Sequence, residues 1–279
     1  MYKLKSFIKP DKLQWEQLSQ NPLAIDLIEK NMDKVHWTML CMNPNAIHLL
    51  YKAIKNTPEK INWKELCNNE GAYTLLENAL KKTPEKINWM YMSANPSAIP
   101  LLEANQDKII WASLSSNSAA IHLLEQNIEK VDWMILSENS SALPLLEKYN
   151  RVFMHFFCRN PAAIPFLKKH PELIDWGVIT LNPNALSLIE HNIENRSINA
   201  THHYMSKHPT NISFLEKHPE LISWWMISSN PGIFELDYCA LRERTGVYKE
   251  QLIAEALHPR RIQRWMEMIK EEENIWDFI

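Results

Sequence analysis

Four cysteines, a scatter of histidines and a recurring glutamate are the residues in this chain whose types could do chemistry. Thiolates and imidazoles can hold zinc or form a nucleophile–base pair, and a ladder of carboxylates can hold cations. The spacing argues for something plainer. Cys41, Cys67 and Cys158 each stand four residues after a tryptophan or its Met154 equivalent, where other segments have Ser19, Ser93, Ser115, Ser137 and Ser228. A small residue is wanted there for close helix approach, and no Cys-x-x-Cys pair supports a metal or disulfide. His202, His203 and His208, with His155 further up the chain, could offer imidazoles to a metal, yet His202 occupies a tryptophan slot and His208 an asparagine slot of a degenerate segment. His170 and His218 suit a helix C-terminus without any catalytic role. Glu29, Glu77, Glu103, Glu125, Glu147, Glu190 and Glu216 recur just ahead of Lys34, Lys60, Lys86, Lys108 and Lys130, which predicts a solvated, charge-paired edge. No nucleophile elbow, zinc-protease or glycine-rich phosphate motif occurs, and only four glycines are present. The sequence therefore predicts no catalytic residue, no metal ligand and no cofactor: a non-enzymatic protein.

The elements that carry these residues follow from a repeat. Trp15, Trp37, Trp63, Trp89, Trp111, Trp133, Met154, Trp176, His202 and Trp224 mark ten copies at intervals of 21 or 22 residues, or of 26 where a four-residue turn is added. A fixed period of this size means a solenoid whose copies bury their apolar faces on one another. Just before the anchor stands Asn62, Asn88, Asp132, Asp175, Thr201 or Ser223, residue types that cap a helix start. An apolar residue two before the anchor and another three after it have the spacing of a hydrophobic staple. The first helix is expected to stop at Asn-Pro, because a residue before proline leaves the α region. A second helix then carries the Ala-Ile-x-Leu-Leu stripe, with Asn45, Ser97, Ser141, Asn184 or Thr210 as its cap and Pro100, Pro144 and Pro165 in its first turn. The expected fold is an all-α solenoid of about ten short two-helix repeats over residues 11–231, after a short N-terminal cap at 1–10 and before a helical C-terminal cap at 232–279. Such a cap is wanted because the end of a solenoid exposes an unpaired apolar face. The tryptophans are expected to be buried between copies.

Composition limits the partners. The chain is 46% hydrophobic, and 30 basic against 33 acidic residues give a formal charge of −3. That balance disfavours broad electrostatic binding to nucleic acid. No apolar run long enough to span a membrane and no leader-like segment occurs, which predicts a cytoplasmic or nuclear protein without membrane partners.

What varies is the outward side of the first helix, one, two and five residues past the anchor. Early repeats put Glu16, Gln17, Lys64 and Glu65 there. Later ones put Met90 and Tyr91, Met134 and Ile135, His155 and Phe156, His203 and Tyr204, and Trp225 and Met226. A row of methionine and aromatic side chains is either a binding groove for a protein or peptide partner or simply core. A second possibility is a single nucleic-acid strand read by stacked aromatics and arginines, against which stands the lack of a repeated basic position. In the tail, Arg260, Arg261 and Arg264 could meet phosphate or an acidic partner, or form a solvated face beside Glu271, Glu272 and Glu273 with Trp265 turned inward.

With the unit W-x-x-L-S-x-N-P-x-A-I-x-L-L-E-x-N-x-x-K-I-x-W in view, Asp11 to Pro231 resembles tandem-repeat proteins encoded in large numbers by giant DNA viruses of the mimivirus type. "ALHPRRIQRW" looks like the closing segment of such proteins, whereas "SSNSAAI", "NNEGAY" and "KHPTNI" depart from the core motif. The resemblance implies a helical repeat protein at work in infected-cell cytoplasm, and the partner expected for the row is a host or viral protein. It implies no activity.

Overall fold

The computed structural model describes residues 2–192 and 201–263, with the side chains of Val247 and Glu250 excepted. Arg264, Trp265 and Glu271 to Glu273 lie outside the described residues.

Local signals at each anchor decide the elements. First helices are short, as in Trp63–Cys67, Trp89–Ala94, Trp111–Ser115 and Trp133–Glu138. The expected caps are made: Asn62 accepts from the Glu65 amide, Asn88 from Tyr91, Asp132 from Met134 and Ile135, and Ser223 from Met226. Repeats 8 and 9 differ. After Trp176 the chain forms a turn and then a 3-10 helix at Ile179–Leu181, and His202–Lys207 is 3-10 throughout. Gly177 followed by β-branched Val178, Ile179 and Thr180 is a poor helix start, and the Thr201 side chain makes no capping bond.

Second helices start one residue later than Asn45, Ser97 and Ser141 would require as caps. Ile47–Asn56, Ile99–Glu103 and Leu143–Tyr149 follow a turn or a 3-10 helix, with Pro100 and Pro144 in the first turn as expected. The cap of that turn is the asparagine of Asn-Pro itself. Its Oδ1 accepts the amide two residues on, as Asn43 does from Asn45, Asn95 from Ser97 and Asn117 from Ala119, each at 3.0 Å.

The same asparagine joins the repeats. Its Nδ2 donates to two carbonyls of the preceding repeat: Asn117 to Ser93 and Asn95, Asn139 to Ser115 and Asn117, and Asn182 to Cys158 and Asn160. These asparagines are buried. Each of these three uses both Nδ2 donors and also accepts at Oδ1, where an unmet group would be costly.

This ladder has no end. Asn21, in the first repeat, donates to the carbonyls of Ser228 at 3.1 Å and Asn230 at 2.9 Å, in the tenth. Two further joints repeat across the same gap. The Gln14 amide donates to Ser228 Oγ as the Asp132 amide donates to Ser115 Oγ. Lys12 lies over the Trp224 ring as Lys34 lies over Trp15. The solenoid is closed, repeat 1 following repeat 10 as any repeat follows its predecessor. First helices of adjacent repeats pack directly on one another, and second helices do so less closely, which puts the first helices on the tighter circumference. The apolar face at the last repeat, the reason for expecting a terminal cap, is covered by repeat 1.

The core runs unbroken round this body. Leu40, Leu66, Met92, Leu114 and Leu136, three residues past each anchor, are fully buried, as are Leu50, Leu76, Leu102 and Leu124 of the second helices. The closed body spans Leu4–Phe234, and the other described residues, 2–3 and 235–263, belong to a second one. The N-terminal strand β1 (Tyr2–Leu4) pairs with β2 (Phe234–Leu236), and Lys5 donates its amide to the Ile233 carbonyl. Beyond β2, the helix Tyr238–Ala256 is capped by Asp237, and residues 259–263 are helical with Arg260 and Arg261 exposed.

Candidate functional site

The residues with chemical potential are mostly spent on holding the ring. Cys41, Cys67 and Cys158 are buried and unbridged in the small-residue slot, which does more than allow close approach. In that slot a hydroxyl or thiol accepts the amide that precedes the next anchor: Ser93 Oγ from Ile110, Ser115 Oγ from Asp132, Cys67 Sγ from Asn88 and Cys158 Sγ from Asp175. Burial pushes the Cys41 thiol up to about 11 and those of Cys67 and Cys158 in the same direction, so these thiols stay protonated. His208 stands in the ladder, its Nε2 3.2 Å from the Thr180 carbonyl. Desolvation, more than the nearby Lys207 charge, lowers its pKa. Among the described residues no three His, Cys, Asp or Glu side chains converge on a point where a metal ion could sit.

Two expectations about the edge are corrected. The tryptophans are half-buried rather than enclosed, and the indoles of Trp15, Trp37, Trp63, Trp89, Trp111, Trp133 and Trp224 are each covered by a cation from the following repeat. Lys34, Lys60, Lys86, Lys108 and Lys130 lie 4.5–5.3 Å from the ring centroids of Trp15, Trp37, Trp63, Trp89 and Trp111. They cover indoles rather than pairing with the recurring glutamates. Glu29 and Glu103 pair instead with His48 and His122 of the following repeats at 2.7 and 2.9 Å, and Glu77 with Lys81 at 3.0 Å. A repeated basic position therefore exists after all. It gathers little charge, since Asp33, Glu59, Glu85, Asp107 and Glu129 each immediately precede these lysines.

None of the ten residues of the methionine–aromatic row is buried. Met90, Met134 and Trp225 are 57%, 45% and 42% exposed, His155 is exposed, and Tyr91, Ile135, Phe156, His203, Tyr204 and Met226 are half-buried. The row comes in three stretches. Repeat 4 carries Met90 and Tyr91, with Lys64 of repeat 3 lying 4.8 Å from the Tyr91 ring. Repeat 5 interrupts with Ala112 and Ser113 before Met134, Ile135, His155 and Phe156 of repeats 6 and 7. Gly177 and Val178 interrupt again before His203, Tyr204, Trp225 and Met226. The His155 and Phe156 rings meet edge to face at 5.4 Å, and His203 and Tyr204 lie 4.2 Å apart.

The middle stretch also holds a polar relay. His155 Nδ1 is 2.7 Å from Asp175 Oδ2, Arg159 Nη2 donates to His155 Nε2 at 3.3 Å, and Arg159 Nη1 donates to Glu138 at 3.5 Å. Beside it a cavity of about 380 Å³ is lined by Ser116 and Ser118 of repeat 5, Ile135, Glu138, Asn139 and Ser140 of repeat 6 and Pro161 of repeat 7. An oriented imidazole with an apolar neighbour and an open cavity can bind a side chain.

Sequence reasoning missed the asparagine ladder. A signal was present: in repeats 3, 5 and 6 the proline is replaced by Glu70, Ser118 and Ser140, yet Asn69, Asn117 and Asn139 persist. An asparagine needed only to precede proline would not outlive it. Comparison with known proteins adds no name to the ring, since no protein-family model, curated protein or solved structure matches the chain.

Proposed function

We propose that the protein is a non-enzymatic ring scaffold that binds a protein or peptide partner through its methionine–aromatic row. The carrying observation is the division of labour on the first helices. The residues three, four and six past each anchor are buried in joints between repeats, with half-buried His208 the exception, whereas Met90, Met134 and Trp225, one past the anchor, stay exposed and take no part in the ladder. Methionine and aromatic side chains give adaptable, low-entropy contact area, and such residues left in water on a rigid frame are what a hot spot requires. In the resemblance to giant-virus repeat proteins the partner would be a host or viral protein met in the cytoplasm.

The test is capture from cell lysate by the tagged chain, with and without nuclease, using wild type and the triple variant Met90→Ser, Met134→Ser, Trp225→Ser. A discrete protein that survives nuclease and is lost with the variant supports the reading, provided the variant melts within a few degrees of wild type. Recovered nucleic acid, or partners lost on digestion, would replace it with single-strand binding. Unchanged capture by the variant would remove the row as the site.

A further inference from the structure

Two adjacent repeats carry a feature that closure of the ring does not need. In repeats 2 and 3 the second helices run to ten residues each, Ile47–Asn56 and Tyr73–Lys82, against five to seven in the other described repeats. Insertions in repeat proteins collect on one face, often the one that binds. Apart from Ala53 and Ala79, which are buried, the added turns point Lys52, Lys55, Asn78 and Lys82 into solvent.

Between these helices lie two adjoining cavities of about 450 and 750 Å³ that share Tyr51, Lys55, Leu75 and Asn78 in their walls. The floor is aliphatic, made by Ile54, Leu75 and Ala79. The rim is cationic, with Lys52, Lys55, Lys82 and Lys86, and no carboxylate lines either cavity. In a chain with more acidic than basic residues that is a local reversal of sign. Lys81 is already paired with Glu77, and Lys86 lies over Trp63. Lys55 sits 4.4 Å from the Tyr51 ring centroid. Its hydrogen bond and charge hold the Tyr51 phenol below its ordinary range, and Tyr51, Lys55 and Lys82 line one cavity.

We propose that this groove docks an acidic peptide segment, with an aliphatic side chain on the Ile54–Leu75–Ala79 floor and carboxylates at Lys55 and Lys82. Charge complementarity selects the partner's sign, and the floor selects a polypeptide. A nucleic-acid strand is followed by aromatic platforms at successive intervals, whereas of the rings lining this groove Trp63 is covered by Lys86, His48 is held by Glu29 and Tyr51 lies beside Lys55. Ten-residue helices are about 15 Å long, room for roughly four to five extended residues. None of the methionine–aromatic row lines the groove, so this site stands or falls separately from the function proposed above.

The experiment uses the full chain and a fluorescein-labelled acidic dodecapeptide with two central leucines, followed by fluorescence anisotropy in low and moderate salt. Saturable binding is expected that weakens with salt, falls about tenfold or more in Lys55→Glu/Lys82→Glu, falls when the leucines become serines, and is unchanged in Met90→Ser/Met134→Ser. Circular dichroism checks each variant, and Lys55→Gln/Lys82→Gln replaces the charge reversal if that does not fold. The proposal is overturned if the peptide does not saturate by about 1 mM or if the lysine variants bind it as wild type does. It is also overturned if an oligothymidylate binds through Lys55 and Lys82 while the peptide does not.

Discussion

Closure can be tested by one side chain. In a ring Asn21 is an interior rung; in an open solenoid it would be a terminal one with nothing before it. The structure gives Asn21 three side-chain bonds: Nδ2 to the Ser228 and Asn230 carbonyls, and Oδ1 from the Leu23 amide at 3.1 Å. Asn117, in mid-chain, has the same three, to Ser93, Asn95 and Ala119. A net hydrogen bond contributes about 1 kcal/mol, and a buried group left unmet costs about 1–3 kcal/mol. Asn21→Ala and Asn117→Ala are therefore each expected to destabilise by ~3–5 kcal/mol, within about 1 kcal/mol of one another. In an open chain Asn21 would retain only its local bond to Leu23, and its loss would cost about 1 kcal/mol. Urea unfolding followed by far-ultraviolet circular dichroism reads the difference as a shift of midpoint at constant slope. A full cost at Asn117 with about 1 kcal/mol or less at Asn21 would refute closure.

Other consequences are quickly checked. Trp111→Ala is expected to destabilise by about 2–3 kcal/mol, below the ~3–5 kcal/mol of an enclosed aromatic; a double-mutant cycle with Lys130, 4.5 Å above the ring, should return roughly 0.5–1 kcal/mol of coupling, and zero coupling would make the stacking incidental. Of the four thiols, Cys239 is exposed and the others are buried with raised pKa, so a thiol reagent at mildly alkaline pH should modify one cysteine in the native protein and all four in urea; fast native reaction of a second would contradict the slot assignment. His208 has a lowered pKa in the folded state, so folding favours its neutral form: its contribution is present above the unfolded value near 6.5 and is lost as pH falls below it. His208→Asn, which restores the missing rung, should raise stability by about 1–2 kcal/mol and flatten that acid limb, and a destabilised variant would mean that the ladder cannot accept asparagine there.

Much of the local structure was legible because its causes are local. The caps Asn62, Asn88, Asp132 and Ser223 lie within three residues of the amides they accept from, and the Leu-Leu stripe follows from helical period alone. Where the anchors degenerate, at Trp176-Gly177 and His202, the first element degenerates with them. The row from Met90 to Met226 was identifiable as variable, but whether it was surface or core depended on what packed against it. The groove between Ile47–Asn56 and Tyr73–Lys82 was visible only as four extra residues per repeat. Neither lysine cluster nor aliphatic floor exists until the two long helices lie side by side.

The sequence by itself determined the repeat, the positions that bury apolar side chains and the ends of most helices, since each rests on forces acting within a few residues. Tertiary structure alone decided that the ends meet. Curvature is a small rotation per repeat, and ten repeats close only if each turns by about 36°, an angle set by how neighbouring helices pack rather than by any residue's own preference. There were traces of it: the linker Pro10-Asp11-Lys12-Leu13 before Trp15 matches the linkers between repeats although residues 1–9 carry no copy of the repeat, and in the structure Lys12 finds its indole at Trp224. The asparagine has the same history. As half of an Asn-Pro step it reads as a helix stop, and only when the preceding repeat brings two carbonyls within 3.1 Å does it become the rung that holds the ring.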